Sequence, residues 1–227
     1  MLIRNQSMKM CIFEKKSKVM KKIAGICFVF VGLFILGSCG GNDEATSVEK
    51  KYTYSYNPES SILEWTAFKF TNRTGVKGTF NEINISGVSE TNDKKELVES
   101  LGFNIPTKTV ETNDPGRNAK IAEFFFAAIN TDVIEGKVIK LKDDGGAEVS
   151  IKMNGITKTV VGEYTLSDTQ FSFNAKIDVA NWNGENGIVA LNEQCVANHT
   201  GEDGILKLWS EVELSFTTVF NRTEIKE

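Results

Sequence analysis

The chain has 227 residues, a quarter of them charged, a formal net charge of −4 and a single histidine, His199. One histidine excludes a three-histidine metal site. The absence of any basic run beyond the N-terminal segment excludes nucleic-acid binding, because nothing would meet the phosphates.

In chain order, residues 1–38 hold seven Lys or Arg against one acid, Glu14, and end on an uncharged run of 14 residues from Ile23 to Leu36. A basic segment, an apolar run of this length and small residues after it read as a secretory signal, short for a membrane span. Met20, followed by Lys21 and Lys22, reads as a more natural start than Met1. Leu36-Gly37-Ser38-Cys39 resembles the bacterial lipobox. That resemblance implies cleavage before Cys39 and a diacylglycerol on its sulfur, hence a membrane-anchored lipoprotein of the cell envelope. Gly40 in place of an acidic retention signal points to the outer membrane, facing the periplasm or the surface. Without residues 1–38 the chain carries 19 basic against 29 acidic residues, a net charge near −10. Attraction to anionic headgroups is therefore disfavoured, and attachment falls to the lipid. Cys11 and Cys27 leave with the signal, so Cys195 remains as the one thiol and no intramolecular disulfide can form.

Residues 39–50 are small and polar and read as a flexible tether, with one domain over 51–227. From there the apolar period is two. Ala147, Val149, Ile151 and Met153 alternate with Glu148, Ser150 and Lys152, and Phe171, Phe173, Ala175 and Ile177 repeat the pattern. Asp143-Asp144-Gly145-Gly146 and Asn154-Gly155 are turn sequences at hairpin spacing. Residues 134–178 thus predict a four-stranded meander. Strands at Leu63–Phe70, Val76–Ile85, Leu97–Thr109 and the C-terminal Val212–Phe220 make eight. The expected fold is all-β, an eight-stranded antiparallel barrel with one or two short helices, enclosing a filled core or one small ligand. The helices are expected at Asp114-Pro115, an N-cap followed by Pro at the first helical position, and over Ile188, Leu191 and Cys195. In the first, Ile121, Phe124 and Phe125 share a face at i, i+3 and i+4, and Phe126 points elsewhere.

The ordered segments "SILEWTAFKF", "GVKGTF", "FNIPTKTVET" running into "RNAKIAEFFF", "MNGITKTV" and "FSFNAKIDVANW" resemble the YceI-like family of secreted bacterial proteins. The resemblance spans nearly all of residues 52–222 and implies a lipocalin-like barrel whose long apolar cavity holds a polyisoprenoid chain. It implies no enzyme activity and no cofactor beyond a bound polyisoprenoid or quinone-like lipid, held for sequestration or transport. Two departures stand out. Many relatives carry Arg-Asp and then His-Leu before a Phe pair, where this chain has Arg117-Asn118 and Lys120; the family's late Arg-x-Asp-Phe-Gly is replaced by "DVANWNGENGIVALNEQCVANHTGEDGILKLW". The replacement looks like a lipoprotein subgroup. Candidate ligand-binding residues are Trp65, Phe80, Phe103, Ile105, Phe124, Phe125, Phe171 and Phe173, with Trp182 and Trp209 expected near the mouth. The competing expectation is a metal or redox protein using Cys195, His199 and Asp203. A third is a structural module whose barrel is filled. Partners under the favoured reading are an apolar small molecule and the membrane; a homodimer is compatible with it.

Overall fold

The computed structural model describes residues 50–226. The signal segment, Cys39 and the tether up to residue 49 lie outside the described residues. The first strand, β1 (Tyr52–Ser55), stands apart from the main sheet. Next, β2 (Ile62–Lys69) pairs with β3 (Thr74–Phe80), setting Trp65 opposite Gly78. Strand β3 continues into β4 (Asn84–Ser86), and this bent run pairs with another, β5 (Gly102–Pro106) and β6 (Val110–Glu111). Phe80 faces Val110 at one end of that pairing and Ile85 faces Phe103 at the other. On its second edge β5 meets β7 (Val133–Leu141), which opens the expected meander through β8 (Gly146–Met153), β9 (Ile156–Leu166) and β10 (Gln170–Asp178). The long β11 (Leu208–Val219) pairs with β10 on one side and β2 on the other. Eight runs therefore hydrogen-bond in a ring. The ring removes the free edges that an open sheet of this length would expose.

The turns form where the sequence supplies residues that accept positive φ. Asn154 and Gly155 sit at φ 48° and 69° between β8 and β9, and Gly145 takes 87° between β7 and β8. One predicted strand begins later than expected. The first three residues of the expected Leu97–Thr109 strand belong instead to a helix, α1 (Lys94–Glu99), and the strand starts at Gly102. Asp93 caps α1 by accepting from the Lys95 and Glu96 N–H groups at 2.8 and 3.3 Å. Neighbours Leu97 and Val98 are both fully buried, which successive residues of a half-buried strand, pointing to opposite faces, would not be.

Helix α1 stops one end of the barrel. Glu99 accepts from the Leu141 N–H at 2.8 Å, Lys95 pairs with Asp143 in the β7–β8 turn, and Lys94 donates to the Ser167 carbonyl beyond β9. Tyr54 of β1 bridges to Thr91 beside it, and β1 is itself held by β12 (Asn221–Glu224). The opposite end carries the remaining α-helices. These are α2 (Pro115–Lys120), which runs into a π-turn at Ile121–Phe126, and α3 (Glu185–Gln194) followed by α4 (Val196–His199). No helix among the described residues is long and apolar enough to cross a membrane.

Candidate functional site: a two-chamber apolar lumen

Because side chains alternate across a strand, one face of each strand points into the barrel. Those faces do not fill it. An outer chamber of about 470 Å³ opens beneath the helices, and an inner chamber of about 140 Å³ lies deeper. The outer volume alone falls in the range of roughly 300–1,000 Å³ usual for small-molecule sites. Trp65, Phe80, Ile134, Met153, Ile177 and Leu214 line both chambers and form the neck between them. The inner wall is wholly apolar, with Phe103 and Ile105 from β5, Phe171 and Phe173 from β10, and Phe216 from β11. Of the two alternatives left open for a barrel of this size, a filled core and room for a ligand, the ring takes the second, with space at its axis.

The lid over the outer chamber begins as expected. Asp114 accepts from the Arg117 N–H at 3.0 Å and Pro115 occupies the first turn of α2. Its continuation differs. The chain inserts a π-turn at Ile121–Phe126, where the Ala127 N–H reaches back five residues to the Ala122 carbonyl. The wider turn shifts the inward face by one residue, so Phe125 and Phe126 follow Ile121 into the chamber wall and Phe124 does not. Phe124 is only half-buried and lies outside both chambers, which corrects its place among the candidate ligand-binding residues. Phe126 takes its place, edge-on to Phe125 with ring centroids 5.1 Å apart and 6.1 Å from Phe80. Helix α3 packs directly on this turn at Gly187, where a Cβ would come within 2.9 Å of the Phe125 carbonyl oxygen. It sends Ile188 and Leu191 into the chamber.

The remaining candidates sort by position. Trp65 and Phe80 reach both chambers, Phe103, Ile105, Phe171 and Phe173 the inner one, and Phe125 the outer. Trp209 lines the outer chamber and donates its indole N–H to the Phe70 carbonyl at 2.7 Å. Trp182, expected near the mouth, is instead buried in the wall and donates to the Ile151 carbonyl at 3.1 Å. Cys195 and His199 both line the outer chamber, Cys195 at the break between α3 and α4 and His199 at the end of α4. Asp203 is occupied elsewhere, accepting from the Thr71 hydroxyl at 2.5 Å and the Ile205 N–H at 3.0 Å. Among the described residues no group of three His, Cys, Asp or Glu is placed to hold a metal ion, so the three-ligand expectation on Cys195, His199 and Asp203 is corrected.

The YceI-like domain model matches residues 54–220, the whole ring and its lid. The chain belongs to the YceI-like family. Among solved structures, its YceI-like barrel is similar to a polyisoprenoid binding domain from Saccharophagus degradans, with a TM-score of 0.51 and 15% identity, over 77% of this chain and 100% of that one. It is similar also to Burkholderia cenocepacia BcnA, with a TM-score of 0.51 and 13% identity, over 73% of this chain and 99% of that one. At such identities the likeness is one of fold. No curated protein matches the sequence.

In this YceI-like chain Arg117, Lys120 and His199, each notable in the sequence for another reason, meet Lys69 and Asn198 in the polar rim of the outer chamber. They come from three separated segments, and no spacing rule joins them. His199 sets its Nδ1 2.8 Å from Asn192 Oδ1. Burial, then the charges of Lys69 and Lys120, hold its pKa below the ordinary histidine value of 6.5. The unfolded chain thus binds a proton that the folded chain refuses. His199's contribution to stability is whole above about pH 6.5 and is lost as pH falls from there toward the lowered folded value. Thermal melts at pH 7.5 and 5.5 should show a fall in Tm that His199→Gln reduces; an unchanged fall would remove His199 as its cause.

Proposed function

We propose that this YceI-like protein binds a single apolar chain, a polyisoprenoid or quinone-like lipid, non-covalently in its lumen, and sequesters or carries it in the cell envelope. It does so without catalysis, anchored through a diacylglycerol on Cys39 at the outer membrane. The observation that carries this reading is the pair of adjoining apolar chambers inside the ring, which share six lining residues beneath a helical lid. A solid core would be cheaper, because unfilled space forfeits dispersion contacts on every side. The space makes physical sense when a hydrocarbon occupies it. Each methylene taken from water contributes about 0.8 kcal/mol, so about ten of them give roughly 8 kcal/mol, near micromolar affinity before association costs. The solved Saccharophagus degradans relative is described as polyisoprenoid binding, which agrees with a chain-shaped occupant.

The test is denaturing release from protein purified without detergent, followed by mass spectrometry of the extracted lipid. About one equivalent of an apolar lipid is expected. Absence of any lipid, together with failure to take up an added prenyl alcohol, would end the reading. The anchoring part is tested separately: Cys39→Ser should move the protein from the membrane to the soluble fraction, and a protein that stays with the membrane is not held by that lipid.

A further inference from the structure

The two chambers differ in polarity in one direction only. The inner chamber is lined by apolar residues throughout, whereas the outer chamber meets Lys69, Arg117 and Lys120 at its rim. In a chain of net charge −4 this is a local reversal of sign. The one carboxylate in the rim is Asp114, and it is already committed. It caps α2 through the Arg117 N–H at 3.0 Å and pairs with the Arg117 guanidinium at 3.5 Å, so Asp114 and Arg117 satisfy each other. Lys69 and Lys120 are left. Both are half-buried. Lys69 Nζ donates to the neutral Asn198 carbonyl at 3.0 Å and rests over the Phe70 ring at 4.5 Å. Lys120 Nζ has no hydrogen bond or ion pair among the described residues. Both lysines act electrostatically on His199 between them, which burial keeps from adding a third positive charge near neutrality.

Two ammonium groups beside an apolar lumen, neither paired with a carboxylate, are free to make charge-assisted contacts with an anion that enters. A ligand entering the lumen tail-first would leave its head beside them. We infer that the rim of the outer chamber is a headgroup site for an anion, with Lys69 and Lys120 as its counter-ions, and that the protein prefers single-chain amphiphiles ending in phosphate or carboxylate over neutral ones of the same chain. This rests on the apolar-chain reading above and adds to it the orientation and charge of the ligand. The chain supplies most of the affinity, because it fills the lumen; the lysines decide which chains are kept and which way they lie.

The experiment compares matched pairs of probes by titration calorimetry on the protein stripped of co-purified lipid. Farnesyl phosphate is set against farnesol, and palmitate against hexadecanol, so that the two sources of negative charge are read separately. Each anion is expected to bind about tenfold more tightly than its neutral partner, as one well-placed charge-assisted contact provides. Raising NaCl should weaken the anion and leave the alcohol unchanged, since the contact is partly open to solvent. This salt arm needs no variant. In the Lys69→Gln/Lys120→Gln protein the preference should vanish while farnesol still binds; Lys176→Gln, on the outer surface, serves as the charge control. A preference in the phosphate pair alone or the palmitate pair alone names the headgroup and supports the site. Equal binding of anion and alcohol in both pairs, or a preference that survives the double substitution, overturns the headgroup site and leaves the apolar-chain reading standing. If no probe of either kind binds, both fall together.

Discussion

Gly78→Val is expected to open the barrel at its seam and to abolish uptake of an apolar chain. Gly78 lies directly opposite Trp65, and the indole ring lies over it, close enough that any Cβ would overlap the ring. The same Cβ would stand 2.8 Å from the Glu111 carbonyl oxygen, which belongs to the strand that closes the ring against β3. Backbone cannot swing away as a long side chain can. Two responses are open, and both are damaging. The β3–β6 pairing parts and exposes ladder groups, or Trp65 moves off the wall, gives up its 3.3 Å hydrogen bond to the Thr79 carbonyl and enters the outer chamber. Overpacking of this kind costs roughly 1–3 kcal/mol, and the lost pairing adds to it. Urea denaturation measures the first effect and titration with a prenyl alcohol the second. Trp65→Leu should restore part of the loss in the double variant, because the clash is a coupling between two side chains. Full stability and full binding in Gly78→Val would show that the ring does not need the glycine.

How much of this was written in the sequence follows from which interactions are local. The strands were legible because alternation with period two is a property of each strand alone, and the Asn154-Gly155 turn announces itself by chemistry. Helix α1 was hidden because Leu97 and Val98 precede Phe103 and Ile105 and read as one apolar run. A local signal was nonetheless there, Asp93 as N-cap with Glu96 three residues on. Of the eight candidate residues, strand alternation set those on strands on the face that lines the chambers. Seven of the eight reach the lumen. Phe124 failed because a helix was assumed to keep its ordinary period through Ile121–Phe126, and a single π-turn advances the face by one residue. The cationic rim was illegible for a different reason. Lys69 leaves β2, Lys120 ends α2 and His199 ends α4; only closure of the ring brings the three together.

Leu214→Trp should shorten the chain that the protein accepts without unfolding it. Leu214 belongs to the neck and is half-buried although it lies on the inward face of β11, because the lumen lies over it. Added volume there enters empty space, unlike a substitution into a close-packed core, so the stability cost should stay below about 1.5 kcal/mol. In the unaltered protein, straight-chain alcohols from octanol upward should bind more tightly as each carbon is added. A buried methylene contributes about 0.8 kcal/mol, close to a fourfold change in affinity. The gain continues as long as the tail can pass from the outer chamber of about 470 Å³ into the inner one of about 140 Å³. With tryptophan at the neck, short alcohols held in the outer chamber should bind as before, and the rise should stop at a shorter chain. The change in plateau separates a tail that threads the neck from one that coils under the lid. An identical profile in both proteins would mean that the inner chamber takes no part in binding, and the lumen would then act as one chamber closed at Trp65 and Phe80.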